Sequence, residues 1–144
     1  MPFLRVLNFF LGFSFLFIAS SSGFFLAKES SYALLEAKEH LSSWVYVLQK
    51  SAHAHTNLFG LLHVAFGVSL TSSSLSFRFK FFQTLGFFSG SLAMSVLLFT
   101  RSYLSSHSSL SSLLSMVSAF FLACSLLALA THTFGLLKKL ISHS

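Results

Sequence analysis

Three histidines in one apolar stretch are the residues of this chain best placed to do chemistry. The stretch runs His53-Ala54-His55-Thr56-Asn57-Leu58-Phe59-Gly60-Leu61-Leu62-His63 and continues to Gly67. Neutral imidazole is the commonest side-chain ligand for metals and for haem iron, and it also relays protons. Lipid cannot solvate an ionisable side chain. Histidines in membrane helices therefore generally face the bundle interior and mark a functional path.

Spacing sorts the candidates. His53 and His55 lie about 200° apart around a helix, so one can be a ligand while the other bonds elsewhere. His53, Asn57 and Gly60 fall on one stripe, which Gly67 extends. A glycine-lined groove beneath a histidine suits a flat porphyrin or a closely packed neighbouring helix. His107 lies in a connector that ends at the same membrane face, and His40 lies near that face. The expected cofactor site is therefore His53 or His55 with His107 as partner, and His53 and His55 are also the metal candidates.

His63 sits deeper and reads as a supporting or proton-relay group, together with Asn57. His132 reads as interfacial, close to Lys138 and Lys139. The two do not pair, because His63 should lie ~15 Å and His132 ~33 Å from that face at ~1.5 Å per residue. The competing reading for each histidine is a hydrogen bond to a serine, a carbonyl or water. Cys124, alone in an apolar run, reads as a small packing residue.

The elements that position these residues are apolar helices. Over the 144 residues, 54% are hydrophobic, 8% are charged and 20 are phenylalanine. Soluble domains carry about a quarter charged residues, so a water-facing surface cannot be built here. The expected fold is an all-α membrane protein: one domain, 1–144, forming a four-helix transmembrane bundle. Its spans cover about 3–27, 53–70, 79–100 and 110–137. Residues 31–50 hold Glu36, Glu39, Trp44 and Tyr46 and read as an amphipathic interfacial helix between spans one and two, with the two aromatics at headgroup depth. The alternative for the first span is a cleaved signal peptide, with Ala19-Ser20-Ser21 as its cleavage site. Gly60, Gly67, Gly86 and Gly90 are helix-packing positions, the last two forming a small-xxx-small pair.

The net charge of +6 is scattered at the ends of apolar runs, where Lys and Arg anchor at headgroups. It is no nucleic-acid footprint. A slight excess of basic residues on one side favours cytoplasmic termini. No nucleotide loop, catalytic triad or paired-carboxylate site is visible, so an enzyme is not expected.

The motif His53-x-His55-x-Asn57-Leu58-x-Gly60 resembles that of small four-span bacterial membrane proteins related to subunit I of the haem-copper oxidases. These carry H-x-H-x-N-L-x-G at the head of the second span. The layout from Leu4-Arg5 to Ala27-Lys28 is similar to their first span. The resemblance implies haem b ligated by His53 or His55 in a bacterial inner membrane. Gly60-Leu61 stands where that family has Gly-Trp, and the family's copper ligands lie in spans this chain lacks, so an oxygen-reducing centre is not implied. Phe88-Ser89-Gly90-Ser91-Leu92 is similar to a motif of another small four-span family of unknown function, which implies a bundle and no chemistry. The leading expectation is a haem- or metal-binding membrane protein in electron transfer, or an accessory of a respiratory complex. The alternatives are a structural or assembly subunit without a cofactor, and a small transporter or channel subunit with His63 and Asn57 lining its path. The expected partners are the lipid bilayer and a homo-oligomer or larger membrane complex.

Overall fold

A computed structural model describes residues 2–35, 43–104 and 108–142. All regular structure among them is helical: α1 (Pro2–Leu35), α2 (Trp44–Ser69), α3 (Phe77–Leu92), α4 (Leu98–Tyr103) and α5 (Ser108–Ser142). A single π-helical stretch, Ala93–Leu97, joins α3 to α4 into one continuous rod.

Three of these helical stretches are long and apolar enough to cross a membrane: Pro2–Leu35, Phe77–Tyr103 and Leu110–Ser142. α2 is not among them. Its 26 residues would suffice to cross a hydrocarbon core, but His53, His55, Asn57 and His63 lower its hydropathy.

α1 and α2 lie against each other along their lengths, as do α3 and α5, and α2 also meets the π stretch and α4. The distribution of side chains is the reverse of that in a soluble protein. Phe10, Phe13, Phe17, Phe24, Phe120 and Leu127 are exposed, whereas Asn8, His63, Thr84, Ser91 and His132 are buried. Such an apolar exterior needs lipid or another apolar surface to cover it. Four buried apolar side chains, Leu4, Phe66, Leu70 and Phe87, pack with Ala128 near one end of the molecule.

Close approach of helices follows from small residues. Gly12 and Gly60 face one another across α1 and α2. A Cβ at Gly12 would lie 2.8 Å from the Gly60 carbonyl, and one at Gly60 3.0 Å from the Gly12 carbonyl. Gly86 does the same for α3 and α5, where a Cβ would lie 2.9 Å from the Cys124 carbonyl. Gly90 meets Ser125, and Gly67 meets Phe9.

The segment expected as an interfacial helix over 31–50 is described only at its two ends. Residues 31–35 close α1 and 44–50 open α2, while 36–42 lie outside the described residues. Ser43 starts α2 as its N-cap, its hydroxyl accepting from the Tyr46 N–H at 3.3 Å. Trp44 is exposed, but Tyr46 is buried and its hydroxyl meets Ser30 on α1. The reason is length. α1 has 34 residues, roughly 51 Å at 1.5 Å per residue, and so outruns a hydrocarbon core of ~30 Å. The first turns of α2 pack along the last turns of α1.

Candidate functional site

The core of the molecule holds two hydrogen-bonded histidine units, and their geometry can be built from the backbone outward. The first begins on α3. The Thr84 hydroxyl donates to the Lys80 carbonyl one turn earlier at 3.0 Å. Its oxygen therefore accepts from Asn8 Nδ2 on α1, also at 3.0 Å, and Nδ2 donates as well to the Leu4 carbonyl at 2.8 Å. These two acceptors fix the orientation of the amide. Asn8 Oδ1 then faces His63 Nδ1 at 2.9 Å, so Nδ1 carries the imidazole proton. His63 Nε2 lies 3.1 Å from Ser91 Oγ on α3. The ring is 0% exposed and stacks on Phe15, with centroids 5.9 Å apart.

The second unit repeats the pattern on other helices. The Thr131 hydroxyl donates to the Leu127 carbonyl at 2.9 Å and accepts from Gln83 Nε2 at 3.0 Å. Gln83 Oε1 faces His132 Nδ1 at 3.4 Å, and His132 Nε2 lies 2.8 Å from Ser69 Oγ. Threonine, amide, imidazole and serine thus follow in the same order twice. The two imidazoles share no partner. Phe87 lies against His63 and Phe66 against His132, and these two rings contact each other at 4.8 Å between centroids.

His132 was expected at the interface and is instead 5% exposed in the core. α5 continues to Ser142, so His132 lies about 15 Å inside its end at ~1.5 Å per residue. Lys80, 3% exposed, also lies inward, its ammonium donating to the Ser73 carbonyl at 2.8 Å.

His53 and His55 occupy different surroundings. His53 Nδ1 donates to the Ala19 carbonyl at 3.0 Å and lies 3.3 Å from Ser22 Oγ. Its ring presses on Gly23, where a Cβ would come within 2.6 Å of Cε1. Asn57 Nδ2 reaches His53 Nε2 at 3.4 Å. His55 Nδ1 donates to the Ser51 carbonyl on its own helix at 2.7 Å. His55 therefore keeps Nε2 for a further partner, whereas Nε2 of His53 already meets Asn57, and the two rings lie on faces about 200° apart. His107, the expected partner, lies outside the described residues, as do His40 and His143.

The groove of the Asn57 stripe is filled by α1: Gly60 packs on Gly12 and Leu16, and Gly67 on Phe9. Beside His53 lies a cavity of about 210 Å³, below the ~300 Å³ at which drug-sized pockets begin. Among the described residues no cluster of three or more His, Cys, Asp or Glu could hold a metal ion.

Asn8, Thr84, Ser91, Gln83 and Ser69 were missed in the sequence. An amide inside an apolar run, at Asn8 and again at Gln83, was the available signal, because a buried amide must find partners.

Fold and site together define an all-helical protein with three helices able to cross a membrane, enclosing a histidine-centred polar core. No family model, curated protein or solved structure matches the chain.

Proposed function

We propose that the protein is a small membrane transport subunit that passes protons through its core by way of His63, with α2 crossing the membrane as a fourth span. The observation that carries this reading is the pair of bonds on the His63 ring. When the imidazole is neutral, the Ser91 hydroxyl donates to Nε2. That hydroxyl has a second acceptor, the Phe87 carbonyl at 2.9 Å. When Nε2 gains a proton, it donates to Ser91 Oγ and the hydroxyl turns to Phe87. Nδ1 keeps its bond to Asn8 throughout. An arriving proton binds Ser91 Oγ as the hydroxyl's own proton passes to Nε2, and it leaves by the reverse of that step, because Nδ1 stays bonded to Asn8.

Charge favours transfer over storage. Of the three acids, Glu29 is exposed near the end of α1, and Glu36 and Glu39 lie outside the described residues. An imidazolium at His63 has no neighbouring carboxylate there, so a buried charge would be costly and short-lived. A relay needs that transient occupancy. His132 repeats the geometry without sharing a partner with His63.

The test is proton flux in liposomes holding a potassium gradient, with valinomycin setting the potential and a trapped pH dye as readout. The wild type should acidify or alkalinise the lumen faster than empty liposomes, and His63→Ala should lower that rate by about tenfold or more, the scale of general acid–base effects. His63→Gln, which keeps one donor and one acceptor, serves as the folded control and should also be slow. A wild-type rate equal to that of empty liposomes sinks the proposal. So does unchanged flux in both variants. A purely structural subunit would lose stability in His63→Ala while never having shown flux.

A further inference from the structure

We infer that the cavity between α1, α2, the π stretch and α4 is a binding site for a small neutral amphiphile, one with a compact apolar body and a single hydroxyl or carbonyl group. It shares the Phe15 ring with the His63 unit but does not depend on proton transfer.

The cavity measures about 210 Å³. An apolar space of ~150 Å³ suffices for benzene, so there is room for a substituted six-membered ring or a short chain. Phe15, Ile18, Val96 and Phe99 supply the apolar walls. His53, whose Nδ1 donates to the Ala19 carbonyl, is the one ionisable residue in the lining, and with no Lys, Arg, Asp or Glu beside it the walls favour a neutral ligand.

Gln49 supplies the polar contact. It lines the cavity, is 8% exposed, and its amide makes no side-chain hydrogen bond among the described residues. No fully enclosed polar side-chain atom among those residues lacks a partner. The Gln49 amide thus has no side-chain partner among the described residues, and it lines the cavity.

The neighbouring hydroxyls are already engaged. Thr56 donates to the Ala52 carbonyl at 2.6 Å, Thr100 to Val96 at 2.8 Å, Ser22 to Ala19 at 2.9 Å, and Ser95 to Ser91. The amide is therefore the one side chain of the lining that offers both a free donor and a free acceptor.

Water alone is a poorer occupant. The volume would take about seven molecules at ~30 Å³ each, and each needs 2–4 polar partners, which these walls do not offer. The π stretch contributes Ser95 and Val96 to the lining. Such single-turn insertions recur at functional sites because they shift side chains that regular helix would place elsewhere.

The test uses para-fluorophenol as probe and fluorobenzene as its apolar control. Both are titrated by fluorine NMR against the full chain in lipid nanodiscs, with protein-free nanodiscs as background. The wild type should show saturable para-fluorophenol binding. Gln49→Leu should weaken it about five- to tenfold, the worth of one hydrogen bond, and leave fluorobenzene unchanged. Ala52→Phe, which fills the cavity, should abolish both, with helical circular dichroism checking the fold. No saturable binding above the protein-free nanodiscs overturns the inference. Equal para-fluorophenol binding by wild type and Gln49→Leu also overturns it.

Discussion

At the residue scale, the core is specified by amides that leave the imidazoles no choice of tautomer. Asn8 cannot flip, because its Nδ2 already serves the Leu4 carbonyl and Thr84. His63 should therefore carry its proton on Nδ1, and nitrogen NMR of the labelled imidazole should report that tautomer. An Nε2-protonated ring would show that the Asn8 orientation is wrong and would remove the Ser91 step. Replacing His63 by alanine strands Asn8 Oδ1 and opens a void beside Phe15 and Phe87. The expected loss is on the order of 2–4 kcal/mol, combining a cavity with an unpaired acceptor. Unfolding in mixed micelles measures it. The chemistry of this residue was half legible in the sequence. Its depth marked His63 as a relay candidate. Its partners were not legible, because serine is common throughout the spans and nothing local distinguishes Ser91 from the serines that merely bond back to their own helix.

At the element scale, helix pairing is governed by where side chains are small. Gly86 brings α3 onto α5, and any side chain there meets Ala128 and the Cys124 carbonyl, backbone that cannot yield cheaply. Gly86→Val should cost about 1–3 kcal/mol by overpacking, more than the same change at exposed Ala27, and the micelle unfolding assay compares the two. The helices themselves were legible in outline from long apolar runs. Two features were not. The described ends of the expected amphipathic segment belong to α1 and α2, because apolar residues at helical spacing read the same whether they meet a membrane surface or a neighbouring helix. The π stretch was invisible because its residues, Ala93 to Leu97, have ordinary helical composition. No local breaker such as proline lies within it.

At the scale of the whole molecule, the polar core and the apolar exterior are two consequences of one arrangement. Three apolar helical stretches can meet lipid, while α2 carries the side chains that lipid rejects. The hydropathy of α2 falls because its histidines and Asn57 face partners: His63 faces Asn8 and Ser91, and His53 faces Ala19 and Asn57. A helix enclosed by others can be polar on one side and still cross a bilayer, since protein groups replace the water it would otherwise need. α2 should therefore span despite its composition. The measurement is cysteine labelling in a Cys124→Ser background, with single cysteines at Ser43, before α2, and at Ser72, after it. A membrane-impermeant maleimide added to sealed vesicles should modify one of the two and reach the other only after permeabilisation. Modification of both from the same side would place α2 outside the bilayer. His63 would then lie at a membrane surface, where a serine-and-amide lining has no barrier to carry protons across, and the transport reading would fail with it.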